Sequence, residues 1–256
     1  MENNKPYFTI ITPSFNSERT IGTTITSVLN QYFTDFEYII IDGQSTDKTL
    51  EIIETYAPAF KEKKIHFKYI SEKDSGIYEA WNKGIELSKG TWISFLGSDD
   101  NYLPNALERY SFHLKIGNDC NYISSKVELI NNNKEILTIF GDSFVWHKVA
   151  RNMKIAQVGS FHHKQLFKQI GLFNTGYKIV GDLEFYIRCK NHIKPFFFNE
   201  TTAQMLNEGA SNQIYKSLKE ALQVKLKYKI SSPLILYFDF IIILIKCYIN
   251  KVTKNK

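Results

Sequence analysis

The stretch Trp92–Asp100, WISFLGSDD, is an apolar run that ends in two adjacent carboxylates. Like charges side by side repel, so paired acids at the tip of a buried strand call for water, a cation or a basic group to offset them. Outward from this stretch, strand-like and helix-like segments alternate. Before it stand a helix-like GIYEAWNKGIELSKG (Gly76–Gly90) and a strand-like IHFKYISE (Ile65–Glu72). Earlier still, the helix-like STDKTLEIIETYA (Ser45–Ala57) follows the strand-like FEYIIIDG (Phe36–Gly43). The chain opens with YFTIITPSF (Tyr7–Phe15), a strand stopped by Pro13, and then SERTIGTTITSVLNQ, where Ile21, Ile25, Val28 and Leu29 recur at helical spacing behind Ser17 as N-cap. Apolar strands alternating with helices predict an α/β fold with a mainly parallel sheet covered on both faces. Ligands of such sheets bind outside the carboxyl ends of the strands. Acids fall at three of those ends: Asp42, Asp74, and Asp99 with Asp100. One such Asp is ordinary turn chemistry; recurrence at three ends points to a site.

The second half is less regular. A helix is expected near Asn105–Cys120, then two strands in Asn121–Gly141 joined at the Asn131–Lys134 turn, NNNK. Lys164–His192 reads as helix, turn and a second helix from about Gly181-Asp182, and Lys194–Leu206 as a strand.

Composition narrows the function classes. The 256 residues are 43% hydrophobic and 23% charged, as in globular proteins, with a high aromatic share of 14%. Cys120, Cys189 and Cys247 are odd in number and far apart, which argues for a reducing compartment and against a disulfide or zinc framework. The first residues, MENNKPYFTIITPSFN, hold no apolar run of signal-peptide length. From Gln213 onward nine lysines face two acids, an excess larger than the net charge of +6 of the whole chain. The basic character therefore belongs to the tail, and with no nucleic-acid motif present a nucleic-acid partner is not expected.

Four segments, in order, carry a resemblance: Ile10–Gln31, Ile39–Ile53, Ser71–Leu107 and Leu166–Arg188. Together they resemble the inverting, nucleotide-sugar-dependent glycosyltransferases of family 2, which have the GT-A fold. The phrase DSGIYEAWNKGI (Asp74–Ile85) is similar to the branch that builds bacterial surface polysaccharides such as O-antigen, and the likeness spans about Tyr7–Ser211. It implies a GT-A catalytic domain over residues 1–211 and a separate tail over 212–256.

The resemblance also implies roles. Pro13, Phe15 and Asn16 would lie beneath the base and ribose of a UDP-sugar donor, and Asp42 would accept a hydrogen bond from the uracil imide N–H. Asp74 and Asn82 would contact the base and the diphosphate, although turn and exposed-helix roles stand beside these. Asp99 would hold Mn2+ or Mg2+ with the donor, and Asp100 would assist or contact the ribose; Asp100 as the N-cap of the next helix is the competing role. Asp182 would be the general base, with Arg188 at its expected offset; Glu184 is the rival carboxylate and a helix N-cap the structural alternative for Asp182. The chain departs from the family pattern where Gly97 and Gly181 replace acids and where Asp42-Gly43-Gln44 keeps one acid of two. Relatives often have His at Gln157, a slot that neither His162 nor His163 fills, and adjacent histidines diverge too far to ligate one metal. Gly209 and Ser211, in NEGASN, would approach the diphosphate or serve as linker. Two rivals stay open: an inactive glycan- or membrane-binding module on this fold, and a sugar nucleotidyltransferase, which would need a glycine-rich loop where the chain has TPSFNSER.

The tail adds one expectation. Pro233–Ile249 is apolar apart from Asp239 and Lys246, short for a span, and flanked by lysines. A helix lying on an anionic membrane surface at the cytoplasmic side accounts for both features, and an acceptor sugar on a polyprenyl diphosphate would suit it. A helix packed on the catalytic domain or in a homo-oligomer is the alternative.

Overall fold

The computed structural model describes residues 5–117, 119–151, 153, 155–207 and 214–254, with backbone alone for 214 and 247–254. The first half forms β1 (Phe8–Ser14), α1 (Ile21–Leu29), β2 (Phe36–Asp42), α2 (Thr49–Thr55), α3 (Ala57–Glu62), β3 (His66–Ser71), α4 (Ile77–Leu87) and β4 (Trp92–Phe95). The rest forms β5 (Asn101–Tyr102), α5 (Ala106–Ile116), β6 (Tyr122–Ile130), β7 (Ile136–Phe140), α6 (Trp146–Arg151), β8 (Ser160–His163), α7 (Lys164–Ile170), α8 (Gly181–Cys189), β9 (Pro195–Leu206), α9 (Ile214–Lys227) and α10 (Pro233–Lys254).

One sheet runs β3-β2-β1-β4-β8-β6-β9-β5, with β7 hairpinned onto β6. β3, β2, β1 and β4 are parallel, β8 enters antiparallel between β4 and β6, and β9 runs parallel to β6. The sheet is mainly parallel, as the alternation predicts. β2 is buried along its whole length and β1 at every position but Pro13, because helices cover both faces. β3 is the edge, and its residues are exposed or partly buried. One core packs α1 and α5 on the sheet through Ile21, Ile25, Tyr110 and Phe161; a second joins α4, α7 and α8 on the other face through Trp81, Phe95, Phe167 and Phe185.

Local details differ from the sequence reading. Ser17 does not cap α1: the helix starts at Ile21, and the Ser17 carbonyl accepts from the Thr20 and Ile21 amides while its hydroxyl meets Ser98 Oγ at 2.8 Å. Asp100 does not cap α5, which begins at Ala106 after Asn105. Asp182 is likewise not the N-cap of α8; it is the helix's second residue, and Val180 holds the cap position.

Candidate active site

The carboxyl ends of β1, β2, β3 and β4 surround a cavity of about 490 Å3, lined by Pro13, Ser14, Phe15, Gly43, Asp74, Gly76, Ile77, Ala80 and Ser98. That volume lies in the range of small-ligand sites. Phe15 follows β1 and is 64% exposed at the rim, an apolar ring facing water where an aromatic partner would stack. Asn16 beside it holds a left-handed backbone (φ 48°). Its amide N–H donates to Ser45 Oγ and its side-chain oxygen accepts from the Thr46 amide, so it clips the loop after β1 to the loop after β2.

Asp74 forms part of the wall. It accepts from the Gly76 amide at 2.9 Å, and partial burial raises its pKa above the usual carboxylate value. Gly43 faces it closely: a Cβ there would stand 3.0 Å from Asp74 Oδ2. Ser98, from the loop that carries Asp99 and Asp100, also lines the cavity and ties that loop to Ser17.

Two expected donor contacts are placed otherwise. Asp42 is fully buried, and its oxygens accept from Ser14 Oγ (3.0 Å), the Ser45 amide (2.9 Å), Ser45 Oγ (2.5 Å) and Ser71 Oγ (2.7 Å). Four donors fill the acceptor capacity of a carboxylate, so Asp42 braces three strand ends from below instead of facing a base. Asn82 is engaged too: its amide nitrogen donates to the Phe173 carbonyl and its oxygen accepts from the Phe173 amide, each at 2.9 Å. It fastens α4 to the loop before α8 and lies outside the cavity lining.

The paired carboxylates of the opening stretch sit beyond β4. Asp100 is buried, and Oδ1 accepts from the Leu206 amide at 3.3 Å. Burial, then the neighbouring Asp99 charge, push its pKa up to about 8. Both carboxylates converge on Gly97: a Cβ there would meet Asp100 Oδ2 at 2.6 Å and Asp99 Oδ1 at 2.9 Å. Two carboxylate oxygens crowded around a bare Cα, one of them destabilised as an anion, fit a hard divalent cation that takes its other ligands from a donor diphosphate and water. Among the described residues no group of three or more His, Cys, Asp or Glu is placed to hold a metal ion.

Asp182 is outside the cavity lining and is linked to it through Tyr78 of α4. Tyr78, beside the cavity residue Ile77, donates to the Ile179 carbonyl at 2.7 Å, and its hydroxyl lies 3.4 Å from Asp182 Oδ1. The Leu183 amide donates to the same oxygen at 2.8 Å. Burial raises the Asp182 pKa to about 6.

The profile of glycosyl transferase family 2 matches residues 9–180. The chain belongs to glycosyl transferase family 2. A PGL/p-HBAD biosynthesis glycosyltransferase of Mycobacterium tuberculosis is 31% identical over 185 residues, covering 72% of this chain and 70% of the relative. The UDP-Glc:α-D-GlcNAc-diphosphoundecaprenol β-1,3-glucosyltransferase of Escherichia coli is 30% identical over 151 residues, 59% of this chain and 55% of that one. Among solved structures, a mannosyltransferase from Pyrobaculum calidifontis in complex with GDP-Man and Mn2+ shares the fold with a TM-score of 0.64 at 15% identity. That match covers 89% of this chain, which spans 65% of the solved one. The GT-A architecture expected from the sequence is therefore the one observed.

At both glycine departures of this family 2 chain an added side chain would meet a neighbouring one. At Gly97 a side chain would enter the space that the two carboxylates occupy. At Gly181 a Cβ would stand 2.7 Å from the Tyr78 ring, so an acid before Asp182 and this placement of Tyr78 exclude each other. The rival carboxylate Glu184 is buried and bonded to Arg188 Nε (3.1 and 3.0 Å), and it accepts from the Tyr228 hydroxyl. Arg188 in turn donates to the Ile170 and Leu172 carbonyls at 2.7 Å, so the pair holds the turn between α7 and α8. His162 is buried with a pKa pushed down to about 3 by burial, and its Nε2 meets the Tyr186 hydroxyl, which donates to Gln157. His163 caps α7 through the Gln165 amide.

Glu220 was not singled out in the sequence. From α9 its carboxylate accepts from the Lys178, Ile179 and Val180 amides at 2.9–3.2 Å, which fixes the segment leading into α8 and Asp182. No local pattern marks it, because its partners lie about 40 residues earlier. Gly209 and Ser211 fall outside the described residues.

Proposed function

We propose that this protein moves a sugar, with inversion at the anomeric carbon, from a UDP-sugar to a saccharide acceptor carried on a polyprenyl diphosphate. The reaction would serve the synthesis of a surface polysaccharide on the cytoplasmic face of the membrane. The observation that carries the reading is the cavity at the carboxyl edge of the sheet. Phe15 and Asp74 line it, the Asp99-Asp100 loop reaches it through Ser98, and Tyr78, next to the lining residue Ile77, contacts Asp182.

Each group has a task its chemistry suits. Phe15 offers a ring face to the base. Asp74 takes over the role expected of Asp42 and accepts from the base N–H, because its carboxylate faces the cavity while that of Asp42 is saturated. Asp99 and Asp100 would hold Mn2+ or Mg2+, which when bound offsets charge on the departing diphosphate. Asp182 accepts the proton of the acceptor hydroxyl as that oxygen bonds to the anomeric carbon. The sugar–phosphate C–O bond breaks on the opposite face, and its electron pair leaves with UDP. A carboxylate near pKa 6 is ionised at neutral pH and still basic enough to take a proton in the transition state.

Phe15→Ala tests the donor site. Loss of one aromatic–base stack costs about 1–3 kcal/mol, so UDP affinity measured by calorimetry should fall about tenfold or more with an unchanged melting temperature. Unaltered UDP affinity would move the base elsewhere.

The metal assignment has its own test. Chelation should stop turnover, and Asp99→Ala should raise the Mn2+ or Mg2+ needed for half-maximal rate by at least about tenfold, since even outer-shell changes at metal sites cost about that much. Full turnover in EDTA would remove the metal from the mechanism.

A further inference from the structure

A second cavity lies at the opposite end of the sheet, where the parallel strands begin. Its volume is about 650 Å3, larger than the candidate donor pocket. Lys5 precedes β1, His66 opens β3, Lys89 precedes β4, His163 ends β8, and Lys164 and Lys168 come from α7. No acidic side chain lines it. β1 has seven residues, so about 20 Å of strand separates this cavity from the pocket at the carboxyl edge.

Four lysines around one concavity repel one another, and no carboxylate stands among the lining residues to offset them. Glu37, whose charge acts on Lys164, is buried outside the lining and already accepts from Thr9 Oγ1 and from the Lys89 and Gly90 amides. Lys164 is held in place by its bond to the Ser88 carbonyl. Burial, and then the Lys168 charge, lower its pKa despite the opposing effect of Glu37. The Nδ1 of His163 accepts from the Gln165 amide, so in the neutral ring the proton sits on Nε2, a further donor in the lining. Four lysines lining one cavity of ligand size, with no acid among them, are what a multiply charged anion requires.

We propose that this cavity is a second binding site that takes a phosphate-bearing anion of diphosphate size. It is separate from the donor pocket and does not depend on the function proposed above. The same chemistry reaches the protein from a soluble phosphate compound or from an anionic lipid headgroup.

The test titrates the full-length protein with inorganic pyrophosphate, with UDP present in excess to occupy the other pocket. Lys5→Gln/Lys168→Gln removes two exposed cations of the cavity. Lys61→Gln/Lys134→Gln removes two exposed cations elsewhere and controls for net charge. The cavity variant should weaken pyrophosphate binding by about tenfold or more, given a few-fold effect per lysine, while the control leaves it unchanged. UDP affinity and melting temperature should be unaltered in both. Sedimentation with phosphatidylglycerol vesicles separates the sources: weaker vesicle binding by the cavity variant than by the control assigns a headgroup, and equal vesicle binding with lost pyrophosphate affinity assigns a soluble phosphate compound. The proposal is overturned if the cavity variant matches the control in both titrations.

Discussion

Asp182→Asn is expected to lower kcat/KM by about 10²–10⁴, the usual contribution of a general base, with UDP affinity essentially unchanged. The substitution keeps the shape of the side chain and leaves the Leu183 amide an oxygen to bond. What it removes is the proton acceptor. The wild-type profile should show an acidic limb with an apparent pKa near 6, because the base works only when ionised and burial holds its pKa at about 6. The same burial gives stability the opposite dependence. An unfolded Asp ionises near 4, so between that value and about 6 the unfolded chain sheds its proton first. The stability that the protonated side chain contributes is complete below the unfolded value and is lost as pH rises through about 6. Asp182→Asn escapes that loss, so its melting temperature should exceed that of the wild type at pH 8 and approach it at pH 4. A variant stabilised at neutral pH yet inactive marks a functional carboxylate in a way a structural one would not. Glu184→Gln should do the reverse: it weakens a buried pair with Arg188 and lowers the melting temperature. If Glu184→Gln abolished turnover while Asp182→Asn left it intact, the base would be misassigned.

The parts of the site that the sequence made legible are those whose signals are local. Continuous apolar runs marked β1, β2 and β4, NNNK marked the hairpin of β6 and β7, and Gly181-Asp182 marked the start of α8. The end of β1 and the loops after β1 and β3 bring Pro13, Phe15 and Asp74 to one cavity. The parts that were not legible depend on partners far along the chain. Asp42 looks like a free strand-end acid until Ser14 and Ser71, each 28 or 29 residues away, are seen bonded to it. Asn82 looks like an exposed helix residue until Phe173, 91 residues on, claims both ends of its amide. Gly97 and Gly181 read as losses from the family pattern, whereas each marks a place where another side chain already fills the volume. That weakens the case for an inactive module, which rested on those two glycines.

Removing α10 by ending the chain near Ser231 should cut partition into anionic vesicles by about 10²–10⁴. α10 carries Leu234, Phe238, Ile241 and Ile245 on one stripe, with Ile235 and Tyr237 beside it, all about half exposed or more, and Leu234 at 85%. Their spacing of four, three and four residues keeps them on one side of a helix. The opposite side is anchored: Leu236 is buried, Asp239 meets Arg151 at 3.3 Å, and Lys225 of α9 donates to the Arg151 carbonyl. Both expectations for the tail therefore bear on different faces of it, since the helix packs on the domain through one side and presents apolar side chains on the other. Among the described residues no helix is long and apolar enough to cross a membrane; the expected loss of partition rests on the exposed stripe lying on a membrane surface. Six side chains each contributing about 0.5–1 kcal/mol on half-immersion give the stated range, and the flanking lysines add attraction that salt screens. Activity on a vesicle-embedded acceptor should fall in step with partition, while a short soluble acceptor analogue is turned over at nearly the wild-type rate. The α9 contacts make the second half of that comparison decisive. Glu220 and Tyr228 lie before the cut and keep the segment before Asp182 and the Glu184 pair in place, so the truncated protein retains its site. Equal loss on both acceptors would mean that α10 supports the catalytic domain and not a membrane contact, as would full-length protein that stays free of anionic vesicles at low salt.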